Sequence, residues 1–209
     1  MALAHQPSMW DLAEEPALTP LAGRVRRRAL SGGAWIDSLP GWMAGSEAVL
    51  EVLLGDIGWR ADRRQMYDRE VAVPRLLRWY GRGEALPHAL LAEARAALDR
   101  HYRPELGEPF VSAGLCLYRD GRDSVAWHGD RLGRARTADT MVAILSLGAP
   151  RPLLLRPVGG GPSLRFPVGH GDLVVMGGSC QRTWEHCIPK TSRTVGPRVS
   201  IQFRPRGVL

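Results

Sequence analysis

The stretch "SVAWHGDR" sets a histidine and an aspartate two residues apart, His128 and Asp130. On an extended chain, side chains two apart project to the same side, so this imidazole and carboxylate can reach one metal ion together. The same three letters return in "VGHGDLVV" as His170 and Asp172. With 6 His and 11 Asp in 209 residues, one such pair arises by chance about a third of the time. Spacing alone does not choose between the copies.

Context does. A second imidazole must face the pair from elsewhere in the fold, leaving coordination positions open. His186, in "RTWEHCIPK", lies 58 residues after His128, room for about four strands before the chain returns. His170 precedes His186 by 16 residues and sits between Gly169 and Gly171, the signature of a tight turn into "DLVVM". We therefore take His128, Asp130 and His186 as the candidate metal ligands and catalytic centre, and His170 as a turn residue. Two imidazoles and one carboxylate on one face are the donor set of non-haem iron(II) sites with open positions.

A second constellation follows in "GPRVSIQFRPRG", where Arg198 and Arg204 stand six apart and share one face of a strand. At about 3.3 Å per residue they are roughly 20 Å apart along the backbone. Two long guanidinium side chains leaning inward from there can bracket a small dicarboxylate, since the planar fork of arginine matches a carboxylate.

These residues need a scaffold, and the sequence from Phe110 onward supplies one. It breaks into short apolar runs rich in branched residues and bounded by Gly and Pro: "FVSAGLCLY", "SVAWH", "TMVAILSL", "PLLLRP", "LRFPV", "DLVVMGG" and "RVSIQF". Seven or eight strands without intervening helices predict a sandwich, jelly roll or small barrel. Upstream, "GSEAVLEVLLGDI" and "LPHALLAEARAALDRHY" carry apolar residues at helical spacing, the first with Ser46 placed as a cap. They are expected to buttress the strands. "RVRRRAL" puts Arg24, Arg26 and Arg28 on one face if extended, and the arginine- and aromatic-rich stretch at residues 56–84 is too polar for a core element and is read as a lid.

Length and hydrophobic content, 209 residues at 44%, fit one cored domain, expected over residues 23–209 behind a loosely held arm at 1–22. Neither a membrane helix nor a secretory leader is readable, so a cytoplasmic protein is expected, acting as a monomer. Three cysteines without a C-x-x-C argue against a disulfide framework or zinc ribbon. Arginine supplies 27 of the 28 basic residues behind a net charge of +7, an excess compatible with a nucleic-acid partner and equally with genomic base bias.

Between Trp59 and Pro205, about 70% of the chain, the sequence resembles the AlkB family of iron(II) and 2-oxoglutarate dependent dioxygenases. The matching stretches are "PRLLRWYG", "LCLYRDGRDSVAWHGD", "SLGAPRPLLLR", "HGDLVVMGG", "TWEHCIPK" and "PRVSIQFRP", in family order and spacing. The resemblance implies a mostly β (α+β) fold, a double-stranded β-helix or jelly roll with helices outside, its core at about 108–206 and a nucleotide-recognition lid at about 56–84. It implies Fe(II), 2-oxoglutarate and O2 as cofactor and cosubstrates. The implied activity is oxidative demethylation of alkylated DNA or RNA, with formaldehyde, succinate and CO2 released.

Carried over residue by residue, the resemblance makes His128, Asp130 and His186 the iron ligands. Arg198 and Tyr118 would hold the distal carboxylate of 2-oxoglutarate, and Arg204 would act nearer the carboxylate that chelates iron. Cys116 stands where the family has an asparagine, and a thiol donates only a weak hydrogen bond. Trp59 and Tyr80 fall at lid positions and are the candidates to clamp a flipped-out base. Arg131, directly after Asp130, replaces an acidic residue that many repair members carry beside a cationic base; with Arg134 and Arg136 it is expected to turn outward to phosphate. Two other readings stay open: a 2-oxoglutarate dependent hydroxylase of a protein or small molecule, and an idle nucleic-acid binding domain.

Overall fold

The computed structural model describes residues 15–55, 57–66, 69–130 and 133–208. In chain order the elements are β1 (Ala17–Leu18), β2 (Arg26–Ala29), β3 (Ala34–Leu39), β4 (Met43–Ala44), α1 (Glu47–Leu54), β5 (Arg60–Met66), β6 (Arg69–Tyr80) and α2 (Ala89–Leu106). There follow β7 (Phe110–Tyr118), β8 (Val125–His128), β9 (Val142–Gly148), β10 (Arg151–Pro157), β11 (Leu164–Val168), β12 (Asp172–Gly178), α3 (Cys180–Thr183), β13 (Trp184–Ile188) and β14 (Arg198–Pro205). An eight-stranded sheet runs β2-β3-β12-β9-β14-β7-β6-β5, and a four-stranded sheet runs β11-β10-β13-β8. Their ladders are antiparallel, and the two sheets form the mostly β jelly roll that the apolar runs predict.

The period-two alternation of the large sheet divides its residues between two cores. On β9, Ala143, Leu145 and Leu147 join one cluster with Val49, Leu50 and Leu53 of α1 and Leu91 and Leu98 of α2. Val142 and Ile144 point the other way and pack with Leu153 and Leu155 of β10. β14 obeys the same rule: Val199, Ile201 and Phe203 go to the helix side. The polar set Arg198, Ser200, Gln202 and Arg204 is thereby turned inward between the sheets. Each fully buried Leu on the helix side contributes about 1.5–3 kcal/mol, so this core fixes which face of β14 meets the site.

Several local expectations change. α1 begins where expected, but Ser46 makes no side-chain cap; its hydroxyl bonds His170 instead. α2 is capped by His88, whose Nδ1 accepts from the Leu90 amide, and ends at Gly107 in the left-handed region. Of the arm expected at 1–22, residues 1–14 lie outside the described residues. The remainder is docked: β1 pairs with β4 and Leu21 is buried. The stretch read as a lid is a hairpin, β5 with β6, and β6 extends the large sheet by pairing with β7. The described residues contain no helix long and apolar enough to cross a membrane.

Candidate active site

β8 and β13 are neighbours in the small sheet, and their register sets His128 directly opposite His186. The two rings meet with centroids 4.2 Å apart. Asp130 follows two residues on, its amide donating to Gln181 Oε1 at 3.2 Å. One ligand atom from each of His128, Asp130 and His186 lies within 4.8 Å of the others. His128 Nδ1 lies 2.8 Å from the Ala126 carbonyl, which fixes Nδ1 as the protonated nitrogen and leaves the Nε2 lone pair to face Asp130.

The protonation states suit metal binding. Burial, reinforced by neighbouring His128, pushes the His186 imidazole down to about 3, so it is neutral. Burial alone would raise the Asp130 carboxyl, but the Arg204 guanidinium and the two imidazoles outweigh it and hold the group below the usual carboxylate range. A neutral imidazole and an ionised carboxylate are the forms that donate lone pairs to a cation. Arg204 Nη2 sits 3.3 Å from Asp130 Oδ2 and orients that carboxylate.

Beside the trio lies a cavity of about 70 Å³, lined by Arg198, Tyr118, Cys116, Arg75, Gln202 and Arg204 among others. Arg198 is only 2% exposed. Its Nε donates to Ser146 Oγ at 2.9 Å, and its Nη1 is buried with no partner among the described residues. Burial pulls its pKa down. A guanidinium removed from water without a carboxylate partner is costly, and an anion entering this cavity relieves that cost. Tyr118 lies beside it, ring centroid 5.1 Å from the guanidinium carbon. Cys116 Sγ reaches Gln202 Oε1 at 3.7 Å. The donor set thus fits iron(II) at one end of the cavity and a carboxylate at the other.

His170 belongs elsewhere. Its Nδ1 accepts from the Gly148 amide at 2.8 Å, and its Nε2 faces Ser46 Oγ at 2.5 Å and Glu47 Oε1 at 3.5 Å. It ties β9, α1 and the β12 turn together, with Gly171 at φ 74°. The companion Asp172 spends both oxygens on the amides of Gly41 and Gly169. The second His-Gly-Asp is a built turn.

The two clamp candidates are displaced. Trp59 donates its indole N–H to the Leu53 carbonyl and packs on the helix-side core. Tyr80 is 5% exposed in that same core. Among the described residues of the hairpin the exposed aromatic is Trp79, one position earlier, with the Arg204 guanidinium carbon 5.8 Å from its ring centroid. In a strand a one-residue offset changes the face, so choosing Tyr80 selected the wrong side of β6. Arg131 lies outside the described residues; Arg136 is exposed, as expected of a residue turned outward. Reading the sequence missed Ser146, Gln202, Arg75 and Gly114. The inward parity of β14, shared with Arg198 and Arg204, was the signal for Gln202.

Comparison with known proteins places these features in a family context. The model of the 2OG-Fe(II) oxygenase superfamily matches residues 46–204. The chain is 32% identical over 198 residues to the human (Homo sapiens) alpha-ketoglutarate-dependent dioxygenase alkB homolog 3, covering 80% of this chain and 66% of that one. It is 30% identical over 112 residues to the human DNA oxidative demethylase ALKBH2, covering 50% and 42%. It thus spans just under two thirds of the length of the first relative and less than half of the second. Among solved structures, OsALKBH1 superposes with a TM-score of 0.58 at 15% identity, over 85% of this chain and 100% of that one. A 2OG-Fe(II) oxygenase family oxidoreductase from Burkholderia pseudomallei gives 0.55 at 14%, over 82% and 85%. At these identities the superpositions support the fold.

Proposed function

Because this chain belongs to the 2OG-Fe(II) oxygenase superfamily, and within it to the AlkB family, we propose that it removes methyl groups oxidatively from alkylated bases of DNA or RNA, releasing formaldehyde, succinate and CO2. The observation that carries this reading is the convergence of His128, Asp130 and His186 beside a cavity lined by the buried Arg198, whose Nη1 has no partner among the described residues. Bound iron(II), with 2-oxoglutarate and O2, supplies the oxidation of a C–H bond.

The chain's own residues do the rest. His128, Asp130 and His186 hold the metal by three donors and leave positions open beside the cavity. Arg198 and Tyr118 hold the distal carboxylate of 2-oxoglutarate. Arg204 keeps Asp130 ionised and aimed. Cys116 contributes contact rather than a strong hydrogen bond. The nucleic-acid assignment is supported by the relative named as a DNA oxidative demethylase and by the arginine excess. Incubation with methylated oligonucleotides, following formaldehyde and succinate together, tests the reading. Repair with stoichiometric succinate is expected; succinate without base repair overturns the nucleic-acid substrate in favour of a protein or small-molecule hydroxylase.

A further inference from the structure

The large sheet ends at β2, an edge strand whose four residues are all exposed. Its register separates two kinds of arginine. Arg27 lies opposite Asp37 and is spent on that carboxylate, on Glu105 and on the Trp35 ring. Arg26 and Arg28 lie opposite Ser38 and Ile36. Ile36 belongs to the core between the sheets, so these two arginines face the other way from Arg27, toward the small sheet. Arg24 precedes them, exposed in a turn where its amide bonds the Leu21 carbonyl.

The small sheet ends on the same side at β11, and the Arg28 guanidinium carbon stands 5.7 Å from the ring centroid of Phe166 there. That contact ties the two edges together. Arg165, beside Phe166, is exposed as well. None of Arg24, Arg26, Arg28 and Arg165 makes an ion pair or side-chain hydrogen bond with a described residue. Four guanidiniums without a carboxylate therefore run along one open side of the sandwich. A charged edge also refuses pairing with a second sheet, but that needs charge of either sign and no alignment across two sheets. A protein partner would need an apolar centre to bury. The exposed large apolar residues among those described are Val52, Trp79 and Val158, and none lies on β2 or β11. A polyphosphate chain needs only charge and forked donors, which arginine supplies.

We propose that this edge, Arg24, Arg26 and Arg28 on the large sheet with Arg165 on the small one, is a second nucleic-acid contact that holds phosphates away from the metal. The choice of polyanion rests on the demethylase reading. Arg26 and Arg28 repeat at about 6.6 Å along the strand, a regular spacing that suits a chain of regularly spaced charges. β2 stands four strands from β14, which carries Arg198 and Arg204, a separation of about 19 Å at about 4.8 Å per strand. The edge therefore engages the backbone of the flanking strand, never the reacting base. It reads no sequence, because phosphate contacts position a nucleic acid without specifying it.

The test measures binding of the full chain to an unmodified single-stranded oligonucleotide by fluorescence anisotropy across a salt series. Three proteins are compared: the parent, the edge variant Arg26→Ser/Arg28→Ser/Arg165→Ser, and a control, Arg100→Ser/Arg103→Ser/Arg122→Ser, which removes the same formal charge from exposed positions elsewhere. Each phosphate contact adds about 0.7 to the slope of log K against log salt, so the edge variant is expected to lose about 2 from that slope. The control is expected to lose less than half as much. Equal losses in the two variants, or no loss in the edge variant, overturn the inference. Displacement of the oligonucleotide by polyglutamate of equal charge, as readily as by unlabelled oligonucleotide, overturns it in favour of an acidic protein partner. Repair of methylated oligonucleotides is scored separately. A parent that shows the expected slopes yet repairs no base keeps this inference and sinks the demethylase reading.

Discussion

Arg204 pairs with Asp130 of the metal trio and packs over Gly114. Gly114→Ala puts a methyl 2.7 Å from Nη1. The guanidinium is the far end of a flexible chain and can swing away, so the fold should survive within about 1 kcal/mol. Asp130 then loses its orienting partner, and iron(II) affinity is expected to fall by about 10–100-fold, the effect typical of removing a group that orients a metal ligand. An isothermal titration with Mn(II) under the same conditions reads this directly. The cysteines make a second residue-scale prediction. All three are free, Cys180 and Cys187 are buried, and burial together with nearby Asp130 pushes the Cys180 thiol up to about 12. A disulfide reagent should therefore react readily with Cys116 alone in the folded protein and with all three thiols after denaturation. At this scale the metal trio was legible because its residue types are rare and their spacing restrictive. The exposure of Trp79 rather than Tyr80 was not, because it requires knowing that β6 is a strand and which face it buries.

At the scale of elements, the strands after Phe110 declare themselves through branched apolar runs bounded by Gly and Pro, and β7 to β12 and β14 fall within or close to those runs. The N-terminal strands do not. β3 places Asp37 at 2% exposure in its middle, where it accepts from Arg27 and from the Tyr102 hydroxyl, while Arg27 also stacks on Trp35 and pairs with Glu105. That network ties β2 and β3 to α2, yet in sequence it reads as charge in a loop. β13 was hidden likewise, since "TWEHCI" breaks its apolar run with Glu185 on one face and His186 on the other. Asp37→Ala, which leaves the buried Tyr102 hydroxyl without its acceptor while the exposed Arg27 keeps Glu105, should cost about 1–3 kcal/mol and be read as a lowered urea midpoint. His170→Ala removes the tie between β9 and α1 and should destabilise by about 1–3 kcal/mol without altering iron stoichiometry.

For the molecule as a whole, the buried Arg198 is a stability cost that the ligand relieves. Addition of 2-oxoglutarate with a redox-inert divalent metal at about 100 times its Kd should stabilise the fold by about 2.7 kcal/mol, raising Tm by about 5–10 °C. Arg198→Met should abolish most of that shift and leave the ligand-free protein at least as stable, because an unpaired buried charge is replaced by an apolar chain of similar length. A ligand-free variant that melts far below the parent would mean that Arg198 is a structural tie. Hydrophobic patterning alone reaches a sandwich, jelly roll or small barrel, whereas the pairing of His128 with His186 depends on long-range register that no local pattern encodes.

The claim on which all of this rests is that His128, Asp130 and His186 share one ferrous ion. Anaerobic iron(II) titration of the parent, His128→Ala, Asp130→Ala and His170→Ala tests it directly. One site per chain in the parent and in His170→Ala, with none in the other two, is the predicted result. A site that persists in His128→Ala, or disappears in a folded His170→Ala, would contradict it.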